Sequence, residues 1–300
     1  MATNKILVIL KESLKKIPGL RRLVHDLDIL FRFGSFRPNT VRLVNSNSII
    51  YIDPREERGR ALLRSGAAGQ PELKKLWSLA LDNLQPEAVV DVGANYGEFL
   101  FLSDYPWNCR IVAVEADPKL YKLLELSRKN HDQGNRIELH CALACAESGG
   151  VENFYIDEAW SGRSSAIPAK TGKVVEVSKV KIDDLFEAQA LPKSIVFKID
   201  VEGFEPQVIA GMETLLSEAD QMVGMLEFNA DFLKKTGVEL VAYVRRLQTY
   251  GHLFSLRGGT FSYVNDSFLA VMKADEKFVA DLILVSDLSL AHSVGLTVND

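Results

Sequence analysis

From residue 86 onward, short β-branched runs alternate with helical ones, and this alternation restricts the fold more than any other feature of the chain. Strands are predicted over 88–92, 110–115, 136–141, 151–156, 174–181, 194–200, 221–228, 252–256 and 267–273. The segments 98–104, 118–131, 206–216 and 238–250 carry helical spacing. Strands that alternate with helices build a parallel sheet covered on both faces, an α/β domain. Ahead of it, Pro71 opens a predicted helix over 72–84, and the runs 41–44 and 49–53 flank a polar turn as a hairpin would. The expected division is residues 1–70 as N-terminal helices and a hairpin, 71–283 as the sheet domain, and 284–300 as a loose tail.

Charge is unevenly spread. Residues 1–40 hold eight basic and three acidic side chains, a net +5, while the whole chain carries −5, so the remainder is at −10. Leu10, Leu14, Ile17, Leu20, Leu23, Val24, Leu27, Leu30 and Phe31 recur mostly at three- and four-residue steps, an amphipathic helical pattern that Pro18-Gly19 breaks in two. Three readings are open for residues 1–34: packing on the domain, packing on a second subunit of a homo-oligomer, or peripheral contact with an anionic membrane. No run of about 20 apolar residues is present to span a bilayer, and Ile6–Leu10 is too short for a signal peptide, so the expected compartment is the cytoplasm. The acidic balance argues against a nucleic-acid partner. Cys109, Cys141 and Cys145 have no metal spacing and read as reduced buried thiols.

Three motifs carry chemistry. In Val89-Val90-Asp91-Val92-Gly93-Ala94-Asn95-Tyr96-Gly97 an apolar strand ends in Asp, and a glycine turn then opens a predicted helix, which lets backbone approach a ligand. It is not the Gly-x-Gly-x-x-Gly dinucleotide fingerprint. In Val112-Ala113-Val114-Glu115-Ala116-Asp117-Pro118 an acidic residue ends the next strand, 24 positions after Asp91, where a carboxylate can accept both hydroxyls of a ribose. In Lys198-Ile199-Asp200-Val201-Glu202-Gly203-Phe204-Glu205, the residues Lys198, Asp200 and Glu202 share one face of an extended segment at the end of an apolar strand. With Glu227, four predicted strand ends carry carboxylates, and ligands of open parallel sheets sit beyond such ends.

Together the segments Asp-Val-Gly-Ala-Asn-x-Gly at 91–97, Glu-Ala-Asp-Pro at 115–118 and Lys-Ile-Asp-Val-Glu-Gly-Phe-Glu at 198–205, with Val-Lys-Ile-Asp-Asp-Leu at 180–185, resemble the FkbM family of S-adenosylmethionine-dependent methyltransferases. The resemblance covers about residues 41–275. It implies a Rossmann-like class I methyltransferase sheet of seven mostly parallel strands, the last antiparallel. It implies S-adenosylmethionine as cofactor, with Asp91, Gly93, Ala94, Asn95 and Gly97 at its methionine end and Glu115 on the ribose. Ala116 and Asp117 would flank the adenine, and Cys141-Ala142-Leu143 would wall it. Members similar to this chain methylate hydroxyls of sugars, glycolipid precursors and natural products. The pattern departs at Glu98-Phe99, where the family usually has a small hydroxyl or aromatic residue after the last glycine.

For methyl transfer to a hydroxyl, Asp200 is the first candidate proton acceptor and Glu202 the second, with Lys198 holding the pair. Glu227 and Asn229 are candidates for the acceptor side, Asn229 also suiting a helix cap. His140 and His252 are the remaining bases. Asp200, Glu202 and Glu227 offer oxygen ligands for Mg²⁺ or Ca²⁺, yet no dedicated cage or zinc spacing is visible, so no metal is expected. The loop 161–168 is long enough for a lid. Two alternatives compete: an NAD-dependent oxidoreductase on a Rossmann-like sheet, and a binding protein of the same fold without turnover.

Overall fold

The computed structural model describes residues 20–44, 46–168, 172–187, 190–275 and 277–298. In chain order the strands are β1 (Thr40–Arg42), β2 (Ile49–Tyr51), β3 (Ala88–Val92), β4 (Arg110–Glu115), β5 (Ile137–Cys141), β6 (Leu143–Ala144), β7 (Val151–Ile156), β8 (Lys173–Val180), β9 (Ser194–Ile199), β10 (Gln221–Asn229), β11 (His252–Arg257), β12 (Thr260–Tyr263) and β13 (Val279–Val285). One sheet runs β12-β11-β13-β10-β9-β3-β4-β5. Its strands β5, β4, β3, β9 and β10 are parallel, and β13 is antiparallel to both β10 and β11. The expected seven strands with a last antiparallel one are therefore present, and β12 adds an eighth at the edge. The central strands are buried on both faces, which is why β3, β4 and β9 read as nearly unbroken apolar runs. Gly224 leaves the room that the Phe197 ring fills: a Cβ there would stand 2.1 Å from the ring.

Strand order reverses between β3 and β9, so the connections after these strands diverge and open a crevice at their carboxyl ends. A smaller sheet, β6-β8-β7, stands beside it. The hairpin β1–β2 is not an appendage. Tyr51 N–H donates to Ser127 Oγ at 2.9 Å, and Ile29, Val41, Ile50 and Ile52 share one apolar core with Trp77, Val89 and Ile111. The boundary expected at residue 70 thus separates no cores.

Three local readings are corrected. The run 267–273 is not a strand but part of the helix Asp266–Ala274. Asn265 caps it by accepting from Phe268 N–H, and Leu269 and Met272 recur at helical spacing into the core. The last strand is β13, which pairs on both sides in mid-sheet and runs into the supposed tail. After it, the helix Leu288–Ser293 buries Leu290 and Ala291 against the core, so 284–298 is integral structure. Lastly, 98–104 is a series of turns rather than a helix. Just before it, three of the five residues 93–97 take positive φ, Gly93 (75°), Asn95 (52°) and Gly97 (82°), and Tyr105 Oη donates to the Leu100 carbonyl at 2.6 Å.

Candidate active site

A cavity of about 490 Å³ lies at the carboxyl ends of β3, β4, β9 and β10, of the size of small-molecule sites. The first wall is the turn after β3. Gly93 sits where a Cβ would fall 2.0 Å from the Asp200 carbonyl, so no other residue fits without moving β9. Glu115, at the end of β4, is buried. Its Oε2 accepts from Asn95 N–H at 2.7 Å and its Oε1 from Asp117 N–H at 2.8 Å. Burial raises its pKa to about 7, although both N–H groups pull it down. Asp91 Oδ1 and Asn95 Oδ1 are buried on this wall without hydrogen-bond partners. Burial, opposed by Lys198, brings Asp91 to about 6.

The second wall follows β9. Lys198 Nζ donates to Asp200 Oδ2 at 3.0 Å and lies 5.4 Å from the centre of the Phe99 ring. Burial works against its charge, but Asp200 and Asp91 outweigh it and hold its pKa above the usual lysine value. Glu202 occupies a left-handed conformation, φ 54°, which is strained for a side-chain-bearing residue. Glu205 organises this turn: Oε1 accepts from Val201 and Gly203 N–H, both at 3.1 Å. Oxygen atoms of Asp200, Glu202 and Glu227 all lie within 4.8 Å of one another, a spacing that a divalent cation also fits. Burial and then Asp200 push Glu202 up to about 8, and the same causes drive Glu227 well above the carboxylate range.

Of the third wall, only the loop 161–168 was read from the sequence. Arg58, Leu62 and Ser65, from the helix Glu57–Ser65, line the cavity, as do Trp160, Ser161 and Ser164 from the loop after β7. Glu98 lines it too and is buried, held by Arg58 and by Lys74 at 3.1 Å. Glu56 binds these parts together. It caps the helix Glu57–Ser65 through Gly59 N–H at 3.0 Å and accepts from Tyr96 Oη at 2.6 Å, Ser161 N–H at 2.8 Å and Ser161 Oγ at 3.0 Å. Ser165 Oγ then donates to the Glu202 carbonyl at 2.9 Å, so the predicted lid loop is tied at both ends. The signal for Glu56 would have been an acidic residue three before a glycine at a helix start, which is common and names no distant partner.

Asp91, Gly93, Ala94, Asn95, Glu115, Ala116, Ala142, Lys198, Asp200, Glu202 and Glu227 therefore meet on one cavity. Gly97, Asp117 and Asn229 lie off its wall. Gly97 packs under the Phe101 ring, where a Cβ would approach to 2.5 Å. Asp117 caps the helix Pro118–Lys129 through Lys119 N–H, and Asn229 caps Ala230–Lys235 through Asp231 and Phe232 N–H. The two histidines are also elsewhere: His252 Nδ1 pairs with Tyr263 Oη at 3.0 Å, and His140 sits on β5. Of the cysteines, Cys109 and Cys145 are buried but Cys141 is exposed, unlike the buried thiol expected.

The model of the FkbM methyltransferase domain matches residues 91–253, more than half of the chain and every strand end named above. The chain belongs to the FkbM methyltransferase family. A search of curated proteins finds no match. Among solved structures, this methyltransferase is similar to an FkbM methyltransferase from Methylobacillus flagellatus KT, at 16% identity and TM-score 0.40, over 88% of this chain and 59% of that one. It is also similar to precorrin-6y C5,15-methyltransferase from Geobacter metallireducens GS-15, at 12% identity and TM-score 0.38, over 72% and 88% of the two chains. A third is the O-methyltransferase TomG from Streptomyces achromogenes, in complex with S-adenosylmethionine, at 10% identity and TM-score 0.40, over 71% and 79%. Family membership sets aside the oxidoreductase alternative. The residues of the first wall suit the family's methyl donor. The unpartnered Asp91 and Asn95 oxygens can receive donors from an amino-acid end, and the oriented Glu115 carboxylate can accept a diol.

Proposed function

We propose that this methyltransferase carries a methyl group from S-adenosylmethionine to a hydroxyl of a sugar, a glycan or glycolipid precursor, or a small natural product. The supporting observation is the meeting of Asp200, Glu202 and Glu227 within 4.8 Å at strand ends, beside the Lys198 ammonium and facing the cofactor turn across one cavity. Asp91, Gly93, Ala94 and Asn95 would hold the methionine end, Glu115 the ribose, and Ala116 and Ala142 the adenine. When bound, the cofactor supplies an electrophilic methyl on sulfur, open to in-line displacement.

The chain's own residues then divide the proton work. Asp200, ion-paired with Lys198 and one-third exposed to the cavity, accepts the proton that the attacking hydroxyl loses. Glu202, with its pKa near 8, keeps its proton around neutral pH and donates a hydrogen bond to the acceptor. Glu227 faces the same cavity as an acceptor-side group. Asn229 caps the following helix and lies off the cavity.

The test is calorimetric binding of S-adenosylmethionine to wild type and Glu115→Ala, followed by an acceptor screen with wild type and Asp200→Asn. Expected are micromolar-range binding, about −8 kcal/mol, mostly lost in Glu115→Ala. For Asp200→Asn, transfer should fall by about 10²–10⁴-fold with cofactor affinity kept. A wild-type rate in Asp200→Asn removes it as proton acceptor. Cofactor binding with no transfer to any hydroxyl acceptor favours the binding-protein alternative.

A further inference from the structure

The helix Leu20–Phe33 covers the core with one part of its surface and leaves another bare. Ile29 and Val24 are buried, whereas Leu23, Leu27 and Phe31, four apart along one stripe, are 51%, 40% and 82% exposed. Phe36, just past the helix, is 51% exposed as well. Scattered single apolar residues on a surface are ordinary, but a contiguous stripe of large apolar side chains is a contact surface.

Charge identifies the contact. Residues 20–44 contain five arginines and two aspartates. Of the two, Asp26 is engaged by Arg60 of the next helix, and Asp28 lies 3.8 Å from Arg32. Arg32 and Arg42 line one shallow groove with Leu43, Val44 and Gly66, and Arg37 is exposed. Exposed apolar side chains on an arginine-rich segment, on a body that is otherwise strongly acidic, match a surface that is apolar below and anionic above. We infer that this helix docks the protein on an anionic lipid surface, with Leu23, Leu27, Phe31 and Phe36 entering the acyl boundary and the exposed Arg37 and Arg42 among the phosphates.

The position matters for the active site. The docking helix is joined to the helix Glu57–Ser65 by the Asp26–Arg60 pair and by Arg32 donating to the Arg64 carbonyl at 2.9 Å. That second helix is the cavity wall carrying Arg58, Leu62 and Ser65. Docking therefore holds the cavity one helix away from the lipid, and an acceptor carried on a lipid can reach it by lateral diffusion. This last consequence rests on the hydroxyl-acceptor reading, whereas the docking itself does not.

The experiment is vesicle flotation of the full chain on phosphatidylcholine alone and on phosphatidylcholine with about one-third phosphatidylglycerol. Wild type is compared with the full-length double variant Leu27→Glu/Phe31→Glu. Expected is co-flotation with the anionic vesicles only, weakened by about 0.5 M salt, and reduced at least tenfold in the variant. The variant should keep the wild-type melting temperature and cofactor affinity. Absence of flotation on anionic vesicles overturns the proposal, and so does equal flotation of the variant. A large fall in the variant's melting temperature would show that the chain's own first residues cover the stripe. A wild-type dimer that the variant dissociates would assign it to a second copy. Either result also overturns the proposal.

Discussion

Replacing Glu56 with Ala removes a side chain that touches neither cofactor nor acceptor in the scheme above, yet it joins the first and third walls of the cavity. Its carboxylate is 5% exposed and accepts four hydrogen bonds, from Gly59 N–H, Tyr96 Oη, Ser161 N–H and Ser161 Oγ. Truncation strands the Tyr96 hydroxyl, fully buried, and the Ser161 N–H, and each stranded donor costs about 1–3 kcal/mol. Loss of the helix cap adds about 1 kcal/mol. Release of a buried carboxylate offsets part of this, leaving about 3–4 kcal/mol. At roughly 2–4 °C per kcal/mol for a chain of this size, the melting temperature should fall by about 10 °C in calorimetry. The Ser161 loop should also loosen, and Arg163, 58% exposed within it, gives a direct readout as the site of tryptic cleavage. Cleavage after Arg163 should accelerate at least tenfold. Tyr96→Phe removes the stranded hydroxyl, so Glu56→Ala/Tyr96→Phe should lose less stability than the two single losses together. A fall below about 2 °C with unchanged cleavage refutes the reasoning. It would mean that the Glu57 N–H bond to the Ala159 carbonyl and the Ser165 Oγ bond to the Glu202 carbonyl, both at 2.9 Å, hold the loop without Glu56.

Three further outcomes follow from the site. Gly93→Ala forces a Cβ to within 2.0 Å of the Asp200 carbonyl at a φ of 75°, and should weaken cofactor binding by at least about a hundredfold, read by calorimetry. Lys198→Met leaves Asp200 and Asp91 without their ammonium and should cost about 2–3 kcal/mol in urea unfolding at pH 8; a variant as stable as wild type contradicts the pairing. The pH dependence has a definite sign. Glu115 at about 7 and Glu205 at about 7 titrate above their unfolded values, so the folded state binds more protons than the unfolded state from about pH 4.5 to 7. Their contribution is full below pH 4.5 and is lost as pH rises through 7, so the unliganded protein should melt several degrees lower at pH 8 than at pH 5.5. Cofactor affinity should run the other way, rising from pH 6 to 8 as Glu115 ionises to accept the ribose hydroxyls, and Glu115→Gln should flatten that slope.

Much of the catalytic crevice was legible because its parts are local. An apolar strand that ends in Asp or Glu is a statement about adjacent residues, and Asp91, Glu115 and Asp200 each sit where such a pattern puts them. The same logic failed at 267–273, where Phe268, Leu269, Val271 and Met272 form an apolar run too short for its period to decide between strand and helix. The cap at Asn265 and the fit of Leu269 and Met272 into the core decided it.

The chain's sequence by itself determined the parallel sheet, the glycine turn after β3 and the carboxylates at the strand ends, because backbone period, glycine freedom and strand-end position are properties of neighbours in the chain. Only the tertiary structure decided that β13 enters the sheet between β10 and β11, that Glu98 turns inward to Arg58 and Lys74, and that Glu56 bonds to Ser161, 105 residues away. A buried polar group is stable only with its partners supplied. Those partners come from segments that no local pattern connects, so the third wall of the cavity existed only once the chain had folded.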